Sequence, residues 1–533
     1  MGKKRNKTGE KANIFETVRK QGVEIYLFLM LCVYPLFMGK GYGELIYRKW
    51  ALFLYATMAF VAVSAVTGCA AAAVGRRTLH GQGKGGRFWE RWILTDWFVL
   101  GYMVCALISY VGAVEHEAGF WGVETWYLGL ASQLLFGGIY FGVSRGYAEL
   151  KYLEYLAAAV LMAVNGIIVL QRFGVDVANL YAGYGSEVKQ LFVTTQGQVT
   201  WTSSYTSIVL VAGMGMYYLS QEKREKLFLG ICIGFGFGAG MLINCDSGML
   251  AVAAALMVMA WQAIGHKDRL LALAEIVMAA LAAVAIVGIL ERCLEERMVP
   301  IDAVYLKVAQ SWLVYALLAA VAVFYLFVKK GSVPWAEKGR MVRALKGIYV
   351  ALVCLGIAGM AALFILHGKG YFAGGPTGTY FRFDKEWGKG RGFIWRVGAA
   401  VFADYNIWRK LFGCGPDNFM AYSYGLMGEE MRNFWPALTI TNVHNEWFNG
   451  VLNYGIVGGA AYLGIFVTAA YRLLRSALEK EEAVMFGAGL AVVGYMAHNL
   501  LCYQQIIGTP LIFLLMGIGV AKVRKKETVK KEE

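Results

Sequence analysis

The sequence predicts an all-α, polytopic integral membrane helix bundle. It has about fourteen transmembrane helices and a large, partly helical extracytoplasmic loop between spans eleven and twelve. Three observations predict this. Hydrophobic residues make up 58% of the 533-residue chain and charged residues 16%, against ~45–50% and ~25% in soluble domains. The apolar residues gather in runs of membrane-spanning length. In the short connections the basic residues gather on one side of those runs. Such a composition excludes a disordered chain, a fibrous repeat and an ordinary cytosolic enzyme.

A span needs ~20 mostly apolar residues. The candidate runs are roughly 22–39, 50–74, 92–114, 125–143, 152–171, 200–219, 227–243, 248–264, 270–290, 305–328, 347–366, 447–470, 482–502 and 506–521. The first is not read as a cleaved signal peptide, because no small-x-small site follows it and another span comes next. The high glycine content, 65 residues, suits close helix packing in lipid. With the N-terminus inside, the inner connections carry 34 Lys and Arg and the short outer ones 7. The positive-inside rule therefore predicts a cell (cytoplasmic) membrane protein with both termini cytoplasmic. It also explains the net charge of +15 without a nucleic-acid partner. The predicted organisation is a basic tail 1–21, a bundle 22–366, an extracytoplasmic loop 367–446, a bundle 447–521 and a basic tail 522–533.

The nine cysteines include no C-x-x-C pair. A disulfide framework or zinc site is therefore not expected. Asp384-Lys385-Glu386 is the metal-binding carboxylate-pair candidate in the large loop, and such triplets more often face water than a metal. No cofactor and no metal are expected.

The loop 367–446 breaks the charge pattern. It carries Lys369, Arg382, Lys385, Lys389, Arg391, Arg396, Arg409, Lys410 and Arg432 beside Trp387, Trp395, Trp408 and Trp435. Long loops escape the charge rule, but cations among aromatics also suit an anionic ligand. Within it, Ile394, Val397, Val401, Tyr405, Trp408 and Phe412 recur at helical spacing, which predicts one amphipathic helix over 391–412. That helix lies on the outer leaflet or packs over the bundle. Arg391 and Trp395 are one turn apart and can share a face. Gly413-Cys414-Gly415-Pro416-Asp417-Asn418 reads as a sharp turn, in which Asp417 and Asn418 cap the turn or bind a ligand. His444 stands where the chain re-enters the membrane, between Asn442, Asn445 and Glu446. Glu446 orients its ring or faces water.

These residues resemble the O-antigen ligase and polymerase family. The run RGFIWRVGAAVFADYNIWRKLFGCGPDNF looks like the signature that opens that family's outer loop, an Arg four residues before a Trp and then a Gly-x-Gly-Pro-x-Asn-Phe turn. VHNEWFNGVLNYGIVGG looks like its second signature. Residues 200–250 are similar to the spans before them. The resemblance covers about 195–520, most closely 391–460. It implies a metal-independent membrane glycosyltransferase. Such an enzyme moves a glycan from an isoprenoid (undecaprenyl) diphosphate-linked oligosaccharide donor to a glycan, lipid or protein acceptor, in surface polysaccharide ligation or polymerisation. It implies Arg391 at the diphosphate and His444 as base. Arg396, Arg382, Trp395, Asp417, Asn418, Asn445 and Glu446 are the substrate-binding candidates. The sequence departs from the family at Asn244-Cys245-Asp246-Ser247-Gly248, where members often carry an arginine. Arg396, Arg382 or Lys369 are candidates to replace it.

The chemistry fits these residue types. A departing diphosphate needs its charge stabilised, which paired arginine donors do. The attacking hydroxyl needs a base near neutrality, usually His. The rival readings are a lipid-linked oligosaccharide flippase or transporter, and a non-catalytic scaffold of a glycan-assembly complex. Transporters tend to show internal repeats and charged residues within spans. No repeat relates 1–260 to 261–533.

Overall fold

The computed structural model describes residues 2–39, 41–79, 92–331, 339–371 and 381–532. Most of the basic connection 75–91 and residues 372–380 of the large loop lie outside them. Among the described residues the chain is all-α apart from one short hairpin. In chain order the long helices are α1 (Gly2–Phe28), α2 (Leu45–Leu79), α3 (Leu94–Val111), α4 (Leu130–Gly146) and α5 (Lys151–Arg172). The hairpin β1 (Phe192–Val193) and β2 (Gly197–Gln198) follows, antiparallel, with Phe192 opposite Gln198. Then come α6 (Val199–Leu219), α7 (Lys223–Ile243), α8 (Asp246–Ala263), α9 (Lys267–Leu294), α10 (Trp312–Lys329) and α11 (Gly339–Gly368). The large loop holds α12 (Trp387–Asp404) and α13 (Phe419–Phe434). α14 (Glu446–Lys480), α15 (Ala483–His498) and α16 (Thr509–Glu532) complete the chain.

Among the described residues, nine helices are long and apolar enough to cross a membrane, which makes this a multi-pass membrane protein. The side chains say the same. Along α11 the most apolar stretch is not buried against the protein at all. Leu352, Leu355 and Ile357 on it are each more than 60% exposed. A helix that is apolar on every face and uncovered is stable only where its surroundings are apolar too.

α15 is the central helix, packed against α6, α8 and α14; α14 in turn lies on α3, and α16 on α4. The core is dominated by fully buried residues of these helices, such as Phe136, Phe466, Phe486 and Phe513. A second, smaller core belongs to the large loop. In it Phe393, Ile394, Val397, Val401 and Tyr405 of the α12 region meet Phe419 and Met431 of α13. Phe393 and Phe434 stack with ring centres 4.0 Å apart.

The loop corrects the sequence expectation in two ways. The predicted helix 391–412 is two pieces. α12 ends at Asp404, and Asn406 starts a new short helix, Ile407–Phe412, by accepting from the Arg409 amide at 2.9 Å. The apolar stripe therefore stays buried only as far as Tyr405, and Trp408 is 46% exposed. α13 was not foreseen, because FMAYSYGLMGEEMRNF carries two internal glycines. α12 is packed into the loop core rather than left to lie on lipid by itself.

Gly413 (φ +83°) and Gly455 (φ +70°) let the loop sit on the bundle. A Cβ on Gly413 would meet the Asn453 carbonyl oxygen at 2.1 Å, and one on Gly455 would meet the Leu411 backbone at 2.2 Å. The two chains thus touch backbone to backbone. The Cys414 and Gly415 amides donate to the carbonyls of Leu452 and Asn453 in the opened turn of α14. This glycine pair is a docking device as well as a helix stop.

Candidate functional site

The site lies at the end of the bundle where 113–129, 192–199, 244–247, 388–391, 413–418, 442–446 and 499–508 come together. Helix α12 positions its two chief residues. Gly388, Lys389 and Gly390 all have positive φ, so regular helix begins at about Arg391. Arg391 then sits in the first turn. Its Nη1 donates to the Gly388 carbonyl at 3.0 Å, while its Nε is buried with no hydrogen-bond partner. No described carboxylate pairs with it. The unused Nε edge of a guanidinium is one of the faces that bind an oxyanion.

One turn later, Trp395 donates its indole N–H to the Val443 carbonyl at 2.9 Å. This holds the residue before His444 against α12. The Asn442 side chain accepts from the His444 amide at 3.0 Å, and His444 itself adopts φ +51°. Left-handed backbone at a non-glycine residue costs ~1–3 kcal/mol and persists only where neighbours impose it. Here Trp395 and Asn442 are those neighbours. The half-buried imidazole stands edge to face with Tyr503, ring centres 4.8 Å apart, and no described residue bonds its nitrogens. Burial first, and then the Arg391 charge, hold it down to about 3, so the ring is neutral and unprotonated at ordinary pH. Arg391 and His444 are therefore within electrostatic reach of each other.

The other predicted substrate residues all have partners within the protein. Asp417 accepts from the amides of Val123 (2.7 Å) and Leu128 (3.4 Å), and Asn418 accepts from the Glu115 amide at 2.6 Å. Both tie the large loop to the 113–129 connection instead of facing a ligand. Burial pushes the Asp417 carboxyl up to about 6, against the pull of those two amides. Asn445 caps α14, accepting from the Phe448 amide at 3.0 Å and donating to the Leu500 carbonyl. Glu446 does not orient His444. It is 3% exposed and bound to Tyr462, Tyr495 and Asn499. Arg396 pairs with Glu430, and Arg382 with Asp384 at 3.3 Å, all in exposed positions. Of the replacement cations proposed from sequence, Lys369 is exposed beyond the end of α11 and pairs with no described carboxylate.

The stretch 244–248 supplies no cation. Asn244 ends α7 in a left-handed conformation, Asp246 accepts from the Tyr305 hydroxyl at 2.8 Å, and Ser247 meets His498 Nε2 at 3.0 Å. His498 Nδ1 meets Asn499 Oδ1 at 2.7 Å, and Asn499 continues to Glu446. A buried polar chain thus joins α8, α15 and α14.

Sequence reading missed Tyr503, Trp126, Trp201 and His498. The only signal was the polar break Cys502-Tyr503-Gln504-Gln505 between two apolar runs. Among the described residues no group of His, Cys, Asp and Glu is arranged to hold a metal. No known family model matches the chain, and no curated protein matches it.

Proposed function

We propose that this protein is an O-antigen ligase-like transferase. It moves a glycan from an isoprenoid diphosphate carrier to an acceptor hydroxyl at the outer face of the cytoplasmic membrane, in polysaccharide ligation or polymerisation. The chain then crosses the membrane about fourteen times, with both termini inside. One observation carries the reading: Arg391, with no described carboxylate partner and an unused guanidinium edge, sits one turn before Trp395, whose indole N–H holds the backbone next to His444 against the same helix.

In the reaction the acceptor oxygen attacks the anomeric carbon. The bond from that carbon to the diphosphate oxygen breaks, and the diphosphate leaves on its carrier. Arg391 meets the growing charge on the leaving group. In a partly dry site such a contact is worth more than in water. His444 takes the proton of the attacking hydroxyl. A single displacement inverts the anomeric centre. In the resting protein His444 is a weak base, held down by burial and by Arg391. A diphosphate on Arg391 cancels that cation's influence and strengthens the base when the donor is in place.

A flippase reading is weaker. The apolar groove between α1, α5, α6, α7, α15 and α16 has Glu154 and Glu225 in its lining and no Lys or Arg. An anionic head group would be repelled there.

The test is complementation of a deletion strain with wild type, His444→Ala or Arg391→Ala at matched membrane levels. The readouts are the surface glycan and the lipid-linked intermediate. Both variants should be inactive, with intermediate building up on the outer leaflet. A full glycan profile from His444→Ala sinks the assignment. Intermediate trapped on the inner leaflet in the deletion makes the protein a flippase.

A further inference from the structure

The 113–129 connection carries no motif, yet it is built into the site with unusual care. Trp126 lies between Thr125 (φ +78°) and Tyr127 (φ +53°), two non-glycine residues in left-handed conformation. The turn is pinned from outside by the two amide bonds to Asp417. Strain at the two non-glycine positions flanking Trp126, held from another segment, points to a turn that presents something. What it presents is the Trp126 ring.

That ring stands perpendicular to Tyr503 (ring centres 4.7 Å) and to Trp201 (6.0 Å). Tyr503 also meets His444, so Trp126 is two ring contacts from the candidate base. The Tyr503 hydroxyl receives the Trp201 indole N–H at 3.2 Å and lies 3.2 Å from Gln198 Oε1, which Thr200 also reaches at 2.9 Å. The Trp126 indole N–H has no partner among the described residues, although its nitrogen is buried. A buried donor left unpaired costs ~1–3 kcal/mol. Trp126, Gln198 and Thr200 are themselves only partly buried.

We propose that Trp126, Tyr503 and Gln198 form the subsite that holds the acceptor as a saccharide, with one pyranose ring on Trp126 and a ring hydroxyl accepting its indole N–H. The chemistry is that of sugar recognition. The C–H face of a pyranose is apolar and packs on an aromatic ring, while its hydroxyls need directional partners, here an indole, an amide and a threonine. A lipid-only acceptor would need none of these polar groups. This rests on the transferase reading above and narrows its acceptor to a glycan or a glycosylated core.

The test uses the full chain in lipid nanodiscs and saturation-transfer NMR against glucose, galactose, N-acetylglucosamine, rhamnose and mannose as probes. At least one should give a signal on its ring C–H protons. Trp126→Ala should weaken it at least tenfold, and Gln198→Leu should weaken it less. Trp126→Phe, which keeps a ring but no N–H, should retain part of it and covers the case in which the alanine variant does not fold. No signal from any sugar, or a signal that Trp126→Ala and Trp126→Phe leave unchanged, overturns the proposal. The transferase reading fails separately: saccharide binding that depends on Trp126, alongside full complementation by His444→Ala, would leave a sugar site without that chemistry.

Discussion

His444 and His498 stand at the same end of the bundle in opposite surroundings. His498 is 1% exposed, and both its ring nitrogens have partners, Ser247 at 3.0 Å and Asn499 at 2.7 Å. His444 is half-open, sits on strained backbone, and has an aromatic edge contact in place of a nitrogen partner. The difference separates two jobs. A histidine whose bonds are complete holds helices together, because any proton it moved would break a buried bond. A histidine with free nitrogens, positioned only through its backbone, has capacity left for a ligand. The arginines divide in the same way. Buried Arg172 is spent on the carbonyls of Leu242 and Lys189, and Arg396 on Glu430, whereas Arg391 keeps an edge unused.

The largest expected effects test that division directly. His444→Gln should lower transfer ~10²–10⁴-fold, the usual worth of a general base, with little change in thermal stability. His498→Gln should do the reverse, costing ~1–3 kcal/mol through the unpaired Ser247 and Asn499 while specific activity stays within about tenfold. Thermal unfolding and glycan transfer on the same preparations decide it. If His498→Gln kills transfer in a stably folded protein, the comparison is wrong.

Arg391→Lys comes next. Lysine keeps the charge but not the planar pair of donors. A loss of ~10²–10³-fold is expected, of the order seen when one transition-state donor is removed. Arg396→Ala, which breaks an exposed pair worth ~0–1 kcal/mol, should leave transfer near wild type. Equal losses in both variants would mean that general basicity, and not the Arg391 geometry, is what matters.

Asp417 sharpens the scaffold side. Asp417→Ala leaves the Val123 and Leu128 amides unpaired and should cost ~1–3 kcal/mol, weakening the turn that carries Trp126. Asp417→Asn keeps an acceptor and should cost less. The two also differ in pH dependence. The folded carboxyl, at about 6, lies above the ~3.9 of an unfolded aspartate. Its contribution is complete below about pH 4 and is lost as pH rises through 6. The asparagine variant should lack that slope in urea titrations at pH 4 and pH 7.

These roles explain what could be read from the chain. The helical bundle was legible because apolar runs near span length leave the backbone few alternatives in lipid. Arg391 and Trp395 were legible as a pair because a four-residue spacing is one helical turn. Their partners were not. Asp417 looks the same in sequence whether it faces a ligand or two backbone amides 294 and 289 residues away. Glu446 adjoins His444 but one helical step turns it into the bundle, towards Tyr462 and Tyr495. Trp126 and Tyr503 reach the site only through the tertiary fold, and an isolated aromatic at a span end ordinarily reads as an interfacial anchor.

The smallest expected effect concerns the His444 proton itself. Its folded value lies below the unfolded one, so it contributes stability above about pH 6.5 that is lost as pH falls towards 3. Burial is the larger cause and Arg391 the smaller. Arg391→Gln should therefore raise the His444 midpoint without restoring its ordinary value. The measurement is ¹⁵N-histidine NMR of the nanodisc protein between pH 2 and 8, with His444→Gln identifying the resonance. Adding inorganic diphosphate to wild type should move the midpoint the same way, since an anion on Arg391 cancels the same charge. It should do nothing to Arg391→Gln. A diphosphate shift that survives in Arg391→Gln would place the anion elsewhere and remove Arg391 from the donor site. A midpoint that neither change moves would mean that the two residues do not communicate, and His444 would then stand closer to His498 than the geometry says.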